Sequence, residues 1–230
     1  MFREFRYALS RKNTAERMGT LFDQMLDHGL WMYQQAIAAW WRRRPRDGTQ
    51  DAIYARDKVV NGLVREVRRE VVRHLTVHPA RDITLCLVLM STAKDAERIG
   101  DYCKNILDAS QVFQGDFHAA YYREPLEEIT ALIEPLFHQA RRASREDDSD
   151  AGHEAFMGAR DIGKRCDLIL ESLLRQKEGV PANEAVAYGL MCRYAKRIAA
   201  HLGNIASGSV AALENLDFGD EAHRGGDKKT

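Results

Sequence analysis

No apolar run in these 230 residues approaches the roughly 20 needed to cross a bilayer, so no transmembrane segment is expected. Charge of one sign is missing too. Thirty-four basic residues meet 34 acidic ones, leaving no global field to hold nucleic acid or an anionic membrane. The opening Met1-Phe2-Arg3-Glu4-Phe5-Arg6 lacks the apolar core of a secretory leader. Four cysteines (Cys86, Cys103, Cys166, Cys192) form no C-x-x-C pair and fall on or beside apolar helical positions. That predicts buried free thiols rather than zinc ligands or disulfides. Together these absences predict a cytoplasmic protein. There is also no Gly-rich phosphate loop, no alternating strand pattern and no nucleophile beside a base. A ferritin-like di-iron centre needs Glu-x-x-His pairs, whereas Glu134 and His138 are four apart and occur once. A non-enzymatic protein is expected.

What the chain does contain is helical periodicity. Residues 1–12 read as a short basic lead-in, and Asn13 or Thr14 can cap a first helix reaching about Arg44. Its apolar set is Leu21, Met25, Leu26, Leu30, Met32, Tyr33, Ile37, Trp40 and Trp41. The run Arg42-Arg43-Arg44-Pro45-Arg46-Asp47-Gly48 ends it, with cations at the negative helix terminus. A second helix spans Thr49 to Val77, burying Ile53, Val60, Leu63, Val64, Val67, Val71 and Leu75. Arg65, Arg69 and Arg73 stack along it, interleaved with Glu66 and Glu70 at pairing distance; the row reads as a solvated face or as a docking surface.

The third helix, opened by Pro79, organises the rest. At 100° per residue Glu97, Asp101 and Asn105 make one row of oxygen donors. Ile83, Leu87 and Met90 project into the same sector, which predicts a seam between helices. Ala93, Ala96, Gly100, Cys103 and Leu107 fill the opposite side, and Thr84, Ser91, Asp95, Arg98 and Tyr102 mark the direction of water. Gly100 costs about 1 kcal/mol in mid-helix against Ala and so predicts close approach of another backbone. Asp57 and Asn61, four apart on the second helix, can face Glu97 and Asp101. Four oxygen donors from two helices would then meet, and buried carboxylates there need a cation or donors.

The pattern then recurs. Arg98-Ile99 with Asn105-Ile106 matches Arg197-Ile198 with Asn204-Ile205, and Pro181 opens the later helix as Pro79 opens the earlier. Between them a helix from about Phe117 to Arg145, which Pro125 and Pro135 can kink or confine to segments, precedes another from about Gly152 to Lys177. The expected fold is all-α, a tandem repeat of two three-helix bundles. Residues 1–114 form the first unit, 115–216 the second and 217–230 a flexible tail.

The run Ala96-Glu97-Arg98-Ile99-Gly100-Asp101-Tyr102-Cys103-Lys104-Asn105-Ile106 resembles the signature of the PhoU family of phosphate-uptake regulators. His78-Pro79-Ala80-Arg81-Asp82-Ile83 resembles that family's entry to the same helix, and the stretch from Arg17 to Ala36 its first helix. The resemblance implies a dimeric all-α adaptor that restrains phosphate import. Its partners would be a membrane phosphate transporter ATPase and a sensor histidine kinase, so it would sit at the inner face of the membrane. Some members bind metal, which implies Mg, Mn or Fe at Asp57, Asn61, Glu97 and Asp101, whose oxygens suit such ions. In the second repeat Lys196 stands for the acid and Ala200 for the aspartate. That predicts a lost site, with an Asp161–Lys196 ion pair in its place. Departure from the pattern also leaves a structural docking bundle without metal, or an accessory of a sodium-coupled phosphate transporter, as the alternative.

Overall fold

The computed structural model describes residues 2–42, 47–78, 82–113, 115–146, 148–176 and 179–208, with the backbone alone for 2–13 and 15. Regular structure among them is helical: α1 (Phe2–Arg42), α2 (Thr49–Val77), α3 (Ile83–Val112), α4 (Ala120–Ala131), α5 (Ile133–Glu146), α6 (Ser149–Leu174) and α7 (Ala182–Ser207). The expected tail, the Pro79 helix start and the cation-rich end of the first helix at residues 43–46 lie outside the described residues. No helix among those described is long and apolar enough to cross a membrane.

Local chemistry sets most boundaries. Gly48 takes φ 76°, a left-handed turn that lets α2 start at Thr49 as expected. Pro135 clashes with the carbonyl of Ala131, four residues back, and α4 stops there. α4 and α5 are therefore two segments of one helical stretch, and the two-times-three arrangement stands. Asp148 caps α6 by accepting from the Ala151 N–H at 2.9 Å. One boundary differs. α1 begins at Phe2 rather than near Asn13, because nothing from Phe2 to Lys12 is a helix breaker.

α1 packs against α2, α3 and α5, while α6 and α7 pack side by side with α5 over them. α3 also lies against α7, so one apolar core runs through both repeats, with Met25, Met32, Ile99, Ile106, Ile198 and Leu202 fully buried. All four cysteines are free and buried. Burial pushes the Cys103 thiol up, and Cys192 is raised by its hydrogen bond with Cys166 and then by burial. Neither is a reactive thiolate.

Two helix-interior glycines, Gly100 of α3 and Gly203 of α7, differ in use. A Cβ on Gly100 would meet only Met32 Cε at 3.5 Å and Asp57 Oδ1 at 3.6 Å, both side-chain atoms, so the expected backbone approach does not occur there. It occurs at Gly203, where a Cβ would stand 3.0 Å from Ala159 Cβ and 4.0 Å from Phe156 Cα. Gly100→Ala is expected to stabilise by up to about 1 kcal/mol through helix propensity. Gly203→Ala is expected to destabilise by roughly 1–2 kcal/mol, since α6 and α7 must part. Urea midpoints of the two variants check the opposite signs.

Candidate functional site

Three of the four expected donors meet around a cation. Lys104 Nζ lies 2.9 Å from Asp57 Oδ2 and 2.9 Å from Asp101 Oδ1. Asn61, one turn along α2, donates Nδ2 to the same Asp57 oxygen at 3.2 Å. Glu97 does not join them; its carboxylate pairs with Lys94, one turn back on α3. Asp57 is buried and Asp101 half exposed. Asp57 Oδ1 is buried without a hydrogen-bond partner, beside the space left by Gly100.

The electrostatics follow from this placement. Burial opposes the charge on Lys104, but hydrogen bonds and attraction from Asp101 and Asp57 together outweigh it and raise the ammonium above the usual lysine range. A raised cation stabilises the fold below its unfolded pKa and loses that contribution as pH climbs through the folded value. Neutral pH therefore keeps Lys104 charged and paired.

Among the described residues no three His, Cys, Asp or Glu side chains converge to hold a metal ion. The Lys104 ammonium stands between the two aspartates, and Glu97 is turned to Lys94. As placed, these residues do not fit the metal that the family resemblance implies. The row of Glu97, Asp101 and Asn105 is also not the continuation of a buried seam. Ile83, Leu87 and Met90 are exposed, and the row runs along the open edge between α2 and α3.

In the second repeat Lys196 pairs with Asp167, at 2.7 Å to each carboxylate oxygen, and not with Asp161, which is exposed. The reason is geometric. The lysine stem lies over Gly163, with its Cε 3.9 Å from where a Cβ would be. Asp167 is one turn further on that face, whereas Asp161, two residues before Gly163, points about 200° away.

A polar constellation absent from the expected set lies between the repeats. Asp95, expected to face water, is buried against α7. His201 donates from Nδ1 to Asp95 Oδ1 at 2.7 Å, and Asn204 donates Nδ2 to the same oxygen at 3.4 Å. Tyr102 stacks on the His201 ring with centroids 5.8 Å apart, and Arg197 Nε donates to its hydroxyl at 3.2 Å. The available signal was His201 itself, a lone imidazole inside the apolar run Ile198-Ala199-Ala200-His201-Leu202.

Residues 15–110, which carry the Asp57–Lys104–Asp101 triad, match the family model described as the PhoU domain. The first repeat is thus similar to the PhoU domain. The fold of the whole chain resembles PhoU from Pseudomonas aeruginosa, with a TM-score of 0.77 at 19% identity over 90% of this chain and 99% of that one. It also resembles the phosphate transport system regulatory protein PhoU from Streptococcus pneumoniae. There the TM-score is 0.72 at 17% identity, over 90% of this chain and 97% of that one. At such identities the likeness establishes the shared PhoU fold across both repeats. No curated protein matches the chain.

The triad makes a direct prediction about metal. Lys104→Met leaves Asp57 buried without a cation, which is expected to cost on the order of 2 kcal/mol. Mn²⁺ should then raise the melting temperature of the variant, while neither Mn²⁺ nor EDTA moves that of the wild type. Thermal scans with and without each reagent check this. A wild-type melting point that falls on EDTA treatment would restore the metal site.

Proposed function

We propose that this chain is a non-enzymatic adaptor that restrains phosphate uptake and relays phosphate sufficiency. It does so by contacting a membrane phosphate transporter, through its ATPase, and/or a sensor histidine kinase. It acts in the cytoplasm as a homodimer, held at the inner face of the membrane by those partners. The observation that carries this reading is the PhoU fold over 90% of the chain, joined to the similarity of the first repeat to the PhoU domain. A bundle whose polar groups are taken up by internal pairs, as at Asp57–Lys104 and Asp95–His201, is suited to presenting surfaces rather than to chemistry.

Affinity capture from membranes of phosphate-replete cells, followed by identification of what is bound, tests the adaptor. A phosphate transporter subunit or a sensor kinase is the expected product, and deletion of the chain should raise phosphate uptake. Unchanged uptake with neither partner captured would sink the reading. The metal-free alternative is favoured by one specific observation, the Lys104 ammonium between Asp57 and Asp101. On that reading the chain works without Mg, Mn or Fe. A sodium-coupled phosphate carrier in place of an ATPase-driven one is the outcome that would redirect the partner.

A further inference from the structure

The acids Glu66 and Glu70 of α2 are taken up by Arg17 and Arg73. Arg17 of α1 holds Glu66 at 2.6 Å and Glu70 at 3.2 Å, and Arg73 also pairs with Glu70. Arg69 thereby loses the Glu66 that its spacing offers. Among the described residues Lys58, Arg65, Arg68 and Arg69 are exposed and have no carboxylate partner. Lys58, Arg65 and Arg68 line a cleft of about 390 Å³ between α2 and α3, together with Asn61, Lys94 and Glu97. Lys94 is neutralised by Glu97, which leaves the other three cations facing open space. The chain as a whole is neutral, so this is a local field, not a global one.

We propose that this cleft docks an acidic segment of a protein partner, and the proposal rests on the adaptor reading above. Lys58 to Arg68 spans ten residues of helix, about 15 Å. An extended chain at about 3.3 Å per residue covers that length in roughly five residues. Two arginines at such spacing hold carboxylates through paired N–H donors, with Asn61 and the apolar Val64 at the base of the cleft for the peptide backbone and side-chain stems. A second copy of this chain is a poor occupant, because a two-fold contact sets the same cations against themselves. A lipid surface is flat and cannot enter the cleft.

Fluorescence anisotropy of a labelled hexaglutamate peptide, titrated with the full chain at low ionic strength, tests the cleft. Saturable binding is expected, falling with added salt. It should weaken at least tenfold in Arg65→Gln/Arg68→Gln and stay unchanged in Lys164→Gln, an exposed cation of α6. Equal loss in both variants, or retained binding in the double variant, overturns the inference. So does binding of anionic vesicles or tripolyphosphate through Arg65 and Arg68 when the peptide fails to bind. In the membrane capture, Arg65→Glu/Arg68→Glu should lose the transporter or kinase that the wild type brings down. A partner kept by that variant defeats the cleft and leaves the adaptor standing. If the wild type captures neither, the adaptor reading fails and the peptide titration alone decides the cleft.

Discussion

Asp95→Ala lowers the melting temperature of this protein by roughly 6–12 °C. The expectation comes from burial. Asp95 and His201 have relative exposures of 6% and 2%, and the imidazole Nε2 already lacks a hydrogen-bond partner. Removing the carboxylate strips Nδ1 of its acceptor as well and leaves Asn204 without its 3.4 Å contact. Breaking one side of a buried hydrogen-bonded pair costs on the order of 3 kcal/mol. In a chain of this size each kcal/mol moves the midpoint by about 2–4 °C. Asp95→Asn, which keeps an oxygen for His201, should cost less than half as much. Because the two residues act as one unit, Asp95→Ala/His201→Ala should be little worse than either alone. A shift under about 2 °C, or strict additivity in the cycle, would show that the pair does not hold α3 to α7.

Glu184→Ala is expected to destabilise by a similar amount, about 3 kcal/mol, and to loosen α4 before the rest. α4 cannot cap itself. Its N-cap is Ala119, which has no side chain to accept the first N–H groups. Glu184 reaches across from α7 instead, its Oε1 accepting from His118 N at 2.7 Å, Ala119 N at 3.0 Å and the Tyr188 hydroxyl at 3.0 Å. The residue has 1% relative exposure, so water cannot replace it. Glu184→Gln keeps the accepting oxygen and loses only the charge, and about 1 kcal/mol is expected. Hydrogen exchange across residues 118–123 is the measurement. In Glu184→Ala these amides should exchange fastest relative to the wild type. Uniform acceleration over all helices would instead assign Glu184 to the core at large.

Both residues were visible in the sequence as polar positions, yet their roles were not. Asp95 falls at the polar margin of α3 when that helix is read by itself, because amphipathicity reports one helix against one core. α7 covers that margin from 106 residues away in the chain, and only the packed repeats bring the two together. Glu184 resembles an ordinary acid in a first helical turn; its partners are backbone N–H groups more than 60 residues earlier. The Asp57–Asp101 meeting was legible because their separation follows from helix geometry and one short connection. Lys104 was not, since a lysine three residues after an aspartate usually extends into water, and it turns inward here to meet a buried carboxylate from another helix.

The sequence by itself determined the all-α class, the start of α2, the break at Pro135, the buried thiols and the recurrence of a three-helix unit. Those follow from periods, breakers and spacings that act over a few residues. Which cation answers Asp57, why Lys196 chooses Asp167, and how the two repeats are pinned through Asp95 and His201 were decided by the tertiary structure. Such choices depend on which side chain reaches a buried charge first, and that competition is set by helices distant in the chain but adjacent in space.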